Sequence, residues 1–302
     1  MIAAPTVALP EGIVILDGGM GQEIIHRGVA HHEGLWSAGA LIEAPQVVRT
    51  IHEDYIRAGA RVIITNTYMT PRPRLEAAGL GGRFAELNRL AGELAQQARD
   101  ACGEEVLIAG SLPPIAMSYR PDLVPEAEPA KATYREMADT LTPYVDLFVC
   151  ETMSSAAEAR AAASGAAATG KPIWVAWTLA DGGAEVLRSG ETVGEAAAAL
   201  DDLPVSAFLV NCCSPESVTA AMPRLVALER GPVGGYANGF VDIPPDVDLG
   251  AGLPAARRDL DPEVYLDHAR RWVAAGAKLI GGCCEVGPSH IARLAEAFAA
   301  YG

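Results

Sequence analysis

Short apolar runs rich in β-branched residues recur along the chain, separated by longer stretches patterned as helices. The runs are IVILDGG (13–19), RVIITNTY (61–68), VLIAGSL (106–112) and DLFVCET (146–152). PIWVAWTL (172–179), AFLVNCC (207–213), VGGYAN (233–238) and KLIGGCC (278–284) follow. Hydrophobicity in these runs is nearly continuous, as expected for parallel strands covered on both faces. Residues 45–58, 84–101, 130–144, 154–169, 192–200, 215–229, 261–275 and 288–300 place apolar side chains at helical spacing. Ser154 and Asp261 stand where N-caps belong, Pro215, Pro262 and Pro288 in first turns, and Gly59, Gly170, Gly231 and Gly276 at helix ends.

Eight strands, each followed by a helix, predict a single α/β domain over residues 1–302, a (β/α)8 TIM barrel. A doubly wound open sheet is the competitor. It usually has fewer strands and often a glycine-rich phosphate signature, and no such signature follows the first strand here. Two stretches break the rhythm: PPIAMSYRPDLVPEAEP (113–129) and FVDIPPDVDLGAGLPAARRDL (240–260). In a barrel both fall in βα loops, on the face where sites are built.

Composition narrows the function. A net charge of −15 argues against nucleic-acid or anionic-membrane partners, which call for a basic face. No run approaches the roughly 18 apolar residues of a membrane span, and MIAAPTVALPEG lacks the basic start of a signal peptide. The expected location is therefore the cytoplasm, where clustered cysteines point to metal or catalysis over disulfides. The sequence carries no signature of an oligomeric state.

In a barrel the C-terminal ends of the strands converge on one site. Those ends supply Asp17, Gly18 and Gly19; Thr65, Asn66, Thr67 and Tyr68; Glu151 and Thr152; Asn211, Cys212 and Cys213; Asn238; and Gly282, Cys283 and Cys284. Cys283, Cys284 and one of the 212–213 pair can reach one ion, and zinc takes three protein ligands at an open catalytic site. Three thiolates make that zinc a poor Lewis acid for water, yet able to bind a substrate thiol and hold it as a thiolate. A disulfide between neighbours is the competing reading, disfavoured by strain. Cys102 and Cys150 read as small core hydrophobes. Asp17 and Glu151 read either as local caps and loop ion pairs or, facing a common pocket, as partners for an α-ammonium group. His31, His32 and His290 read as solvated or capping, and Trp36, Trp174, Trp177 and Trp272 as packing.

LDGGMGQEI (16–24), LWSAGALIEAPQVV (35–48), DYIRAGARVIITNTY (54–68), VCET (149–152), VNCC (210–213) and GAKLIGGCCEVGP (276–288) together resemble the homocysteine S-methyltransferases. The resemblance spans nearly the whole chain. It implies zinc held by Cys212, Cys283 and Cys284, since the first cysteine of the family's NC motif is the ligand. It implies an amino-acid pocket built from Asp17, Gly18, Gly19, Thr65, Asn66, Thr67 and Glu151. The implied reaction moves a methyl group from a small donor to homocysteine, giving methionine. LWSA and YIRAGA are similar to the compact enzymes that use S-methylmethionine or S-adenosylmethionine. GSLPPIAMSYRPDL (110–123) departs from their GSVGPYG-like loop, which leaves betaine, dimethylsulfoniopropionate or a separate corrinoid protein as alternative donors. Hydrolysis at a metal and a non-catalytic zinc or redox sensor are the other classes; the first calls for His or carboxylate ligands.

Overall fold

The computed structural model describes residues 4–29, 35–183, 185–244, 247 and 254–301. Its strands are β1 (Val14–Ile15), β2 (Val62–Ile64), β3 (Leu107–Leu112), β4 (Leu147–Met153), β5 (Ile173–Trp177), β6 (Val205–Asn211), β7 (Val233–Ala237) and β8 (Leu279–Gly282). All the pairings are parallel, in the order β1-β8-β7-β6-β5-β4-β3-β2. A parallel bridge from Leu16 to Val62 closes the ring, completing the (β/α)8 barrel.

The helices described are α1 (Met20–His26), α2 (Trp36–Glu43), α3 (Pro45–Arg57), α4 (Arg72–Ala77), α5 (Phe84–Cys102) and α6 (Ala127–Leu141). They continue with α7 (Ala156–Ala167), α8 (Val193–Ala198), α9 (Pro215–Val226), α10 (Pro262–Ala275) and α11 (Pro288–Phe298). None is long and apolar enough to cross a membrane. Side chains such as Val14, Leu16, Val62, Leu147, Trp174 and Leu279 fill the barrel interior. A larger core lies between the sheet and the helices.

Local chemistry sets the helix ends. Asp261 accepts from the backbone N–H groups of Glu263 and Val264, Pro262 follows it, and Gly276 closes α10 in the left-handed region at φ 117°. The α7 cap falls one residue later than expected. Ser155 accepts from Glu158 N, because the chain is still extended through Met153. Ser154 instead donates its N–H and hydroxyl to the Glu158 carboxylate, at 2.8 and 2.7 Å.

Three short helices, α1, α2 and α4, lie in connections where periodicity predicts none. The reason is visible in α2, which buries Ser37 through Leu41 consecutively and so carries no one-sided apolar stripe. The irregular stretch after β3 ends at Glu126, since α6 begins at Ala127. In the second irregular stretch Phe240 bridges Ala256; 245–246 and 248–253 lie outside the described residues, as do His31 and His32.

Candidate active site

Along β6, Ala207 and Leu209 face into the barrel while Phe208 and Val210 face the helices. Simple alternation would send Cys212 to the helix side. It adopts φ 51° instead, in the left-handed region, and its side chain lines the cavity at the mouth of the barrel. Cys213 then takes the outward place and is fully buried in the helix-facing core. Thr152, at the end of β4, has φ 59° as well, and Asn211 ties the two kinks together. Its Oδ1 accepts from Thr152 N at 2.8 Å, and its Nδ2 donates to Thr152 Oγ1 at 2.9 Å. Left-handed residues of this kind cost about 1–3 kcal/mol each and persist where surrounding contacts over-determine them.

At the end of β8 the chain turns through Glu285, φ 63°, placing Cys283 and Cys284 side by side at the cavity. Cys283 Sγ lies 2.9 Å from Cys212 Sγ and 4.0 Å from Cys284 Sγ. All three sulfurs fall within 4.8 Å of one another. Thiolates around one zinc, at about 2.3 Å each, stand roughly 3.8 Å apart, so this donor set fits one ion. Cys212 is the member held well below the ordinary thiol range, because Cys283 and Cys284 donate to it. Tyr119 Oη, 3.0 Å from its sulfur, and the Asn238 amide add to the effect. Burial pushes Cys213 up to about 12 and raises Cys150 above the usual range, which leaves both inert. Cys102 is half-buried near Arg57, outside the cavity.

The loop after β1 can approach these thiols only because it carries glycines. A Cβ on Gly19 would stand 2.6 Å from the Cys283 carbonyl oxygen, and one on Gly18 2.1 Å from that of Val286. Asp17, just before them, accepts from Ile64 N at 2.8 Å. Burial raises its carboxyl well above the usual range, and the nearby Glu151 adds to this. Glu151 follows inward-facing Val149 by two residues, so strand alternation turns it inward too. Ser111 Oγ and Tyr236 Oη donate to it, and burial pushes it up to about 7. Among the described residues no cation pairs with either carboxylate. Two buried acids without a counter-charge suit a cationic ligand.

Thr65 and Asn66 line the same cavity, whose volume is about 350 Å³. Thr67 does not: it is buried behind Thr65, joined to it at 2.9 Å, and donates to Ser111 O at 3.0 Å. Asn66 Nδ2 donates to Ser37 O at 3.0 Å, tying α2 to the cavity wall.

Comparison with known proteins bears on this arrangement directly. A family profile described as "Homocysteine S-methyltransferase" matches residues 14–298. The chain belongs to the homocysteine S-methyltransferase family. It is 34% identical to the homocysteine S-methyltransferase of Escherichia coli (strain K12), over 94% of each chain. It is 27% identical to a selenocysteine methyltransferase of Astragalus bisulcatus, over 92% of this chain and 90% of that one. Among solved structures it resembles the metallated form of the homocysteine methyltransferase MmuM from Escherichia coli, at TM-score 0.80 and 32% identity. The match covers 95% of this chain and 96% of that one.

As a homocysteine S-methyltransferase family member the chain also shows residues that the strand-end reading missed. Trp36, expected only to pack, lines the cavity, edge-on to Tyr68 with ring centroids 6.2 Å apart. Tyr119 comes from the irregular stretch after β3, where its φ is 66°. Arg188 lies over the Tyr119 ring at 5.0 Å and pairs with Asp181 at 2.9 Å, both nearly buried. Arg74, on the short α4, also lines the wall. The composition of the long loops was the only available signal for Tyr119, and the sequence carried none for Arg74.

Proposed function

We propose that this protein is a zinc-dependent methyltransferase, one domain over residues 1–302, that transfers a methyl group from a small sulfonium donor to the thiol of L-homocysteine. S-methylmethionine or S-adenosylmethionine is the donor and methionine the product. The observation that carries this reading is one cavity lined by three converging thiols and by two buried carboxylates without a counter-charge. Zinc held by Cys212, Cys283 and Cys284 would leave one position open to the acceptor's sulfur and keep that sulfur a thiolate at neutral pH.

The chain's own residues supply the rest. Asp17 and Glu151 hold the acceptor's ammonium group, which returns a charge to carboxyls that burial has pushed up. Gly18 and Gly19 let the β1 loop close against the thiol loop, and Thr65 and Asn66 form the neighbouring wall. Trp36, Tyr68 and Phe240 cover the cavity with ring surface and exclude water. The new S–C bond forms as the donor's S–C bond breaks, and its electron pair leaves on the donor sulfur. A cationic donor and an anionic acceptor become neutral in that step, so alignment and dryness matter more than a proton donor.

The test is to incubate zinc-loaded protein with homocysteine and, separately, S-methylmethionine, S-adenosylmethionine, dimethylsulfoniopropionate and betaine, and to measure methionine. Methionine from a sulfonium donor, with about one zinc per chain, is the expected result. Saturable zinc binding with no methionine from any donor would leave the sensor reading in its place.

A further inference from the structure

The ionisable carboxyls of the cavity that the thiols share are Asp17 and Glu151; Met69, Arg74 and Ala77, which follow β2, and Ala116 and Met117, which follow β3, form another part of its wall. Tyr68 feels the charge of both Cys212 and Arg74, and its hydroxyl meets Ser118 Oγ at 2.8 Å.

Among the described residues Arg74 is a cation without an ion-pair partner. Its Nε and Nη2 both donate to Pro114 O, at 3.2 and 2.9 Å, and Nη1 lies 3.2 Å from the thioether of Met69. All these acceptors are neutral. Arg72, two residues earlier on α4, pairs with Glu136, so the helix does not lack acidic partners in general. Among the described residues no carboxylate forms an ion pair with Arg74. Glu158 is near enough to feel its charge but gives Oε2 to Ser154 N and Oγ. Burial draws the Arg74 guanidinium below its ordinary range, and the nearby Tyr68, Tyr134 and Glu158 offset this only in part. A guanidinium carries five N–H donors in a planar fork that matches a carboxylate.

The donor's methyl carbon must lie in line with the acceptor's sulfur, so its remaining groups point away from the thiols. Among the described residues that line the cavity, Arg74 is the one cation those groups can meet. A carboxylate arriving there without a partner would be strongly disfavoured in so apolar a wall.

We infer that Arg74 selects the methyl donor by pairing with a carboxylate on it, so that the donors accepted are small sulfonium or ammonium compounds bearing a carboxylate. This rests on the methyl transfer proposed above. It rejects methyl donors that present no carboxylate, a protein-bound corrinoid among them.

The probes are S-methylmethionine and its carboxamide, used with zinc-loaded wild type, Arg74→Gln and Arg74→Lys. Methionine formation gives KM values; calorimetry with L-2-aminobutyrate in the acceptor pocket gives donor affinity without turnover. Arg74→Gln should weaken S-methylmethionine by about 10- to 100-fold, the loss of one charge-assisted pair. Arg74→Lys should recover part of it, and the carboxamide should bind wild type and Arg74→Gln alike. A loss falling on the homocysteine KM would assign Arg74 to the acceptor instead and overturn the inference. Equal losses with both sulfonium probes, or none with either, would overturn it too. If calorimetry shows the charge discrimination while no methionine forms, the methyl-transfer reading fails and donor selection with it, leaving Arg74 only as a carboxylate-pairing residue of the cavity.

Discussion

Cys212 and Cys213 are chemically identical neighbours with opposite surroundings. One backbone dihedral, φ 51° at Cys212, separates a cavity thiol from a core thiol. Cys283→Ser should abolish stoichiometric zinc and lower turnover by about 100-fold or more, read by metal analysis and methionine formation. Cys213→Ala should keep the metal and cost about 1 kcal/mol of stability, read by denaturant unfolding. If Glu151 holds the acceptor's ammonium group as proposed, Glu151→Gln retains the shape but removes the charge, and the homocysteine KM should rise roughly 10- to 100-fold with zinc content unchanged. The thiol set was legible from the two adjacent pairs at strand ends. The residues alone left Cys212 and Cys213 open, because a strand's alternation does not announce where it is broken. The cavity's Arg74 and Tyr119 were illegible for a related reason: neither sits at a strand end, and both reach the cavity through connections with no period to read.

The elements repeat this contrast. The long amphipathic helices, α3, α5, α6, α10 and α11, read well because one face meets the sheet and the other meets water. The short α1, α2 and α4 escaped because they are buried on several sides or too short to show a stripe. Those helices and their loops build much of the cavity wall, so the fold was more legible than the site. Capping chemistry held at α10, and Asp261→Ala should cost about 1 kcal/mol, seen as a lowered melting temperature with homocysteine affinity retained. Closure of the β1 loop on the β8 loop depends on a missing side chain. Gly19→Ala puts a Cβ 2.6 Å from Cys283 O and must push the two loops apart. Zinc affinity should fall while far-UV circular dichroism stays that of the wild type.

At the scale of the molecule, one buried base links stability to pH. His52 lies fully buried on α3 with neither ring nitrogen hydrogen-bonded, and burial lowers its pKa from 6.5 to about 4. Below pH 6.5 the unfolded chain binds this proton before the folded chain does. Stability is therefore lost as pH falls from 6.5 toward 4, by about 3 kcal/mol in all, and this contribution is flat below that window. His52→Leu should remove that part of the slope, measured as the difference between urea unfolding at pH 7 and at pH 4.5. The sequence by itself determined the barrel, since eight apolar runs alternating with helices admit few other closed solutions for burying both faces of a parallel sheet. It also determined that thiols and carboxylates meet at one end, because strand order carries them there. Only the tertiary structure decided which thiol faces the cavity and which side chains form the rest of its wall. Those depend on left-handed turns at Thr152, Cys212 and Glu285 and on close backbone approach at Gly18 and Gly19. Such features arise from contacts between segments far apart in the chain, and no local pattern of hydrophobic and polar residues encodes them.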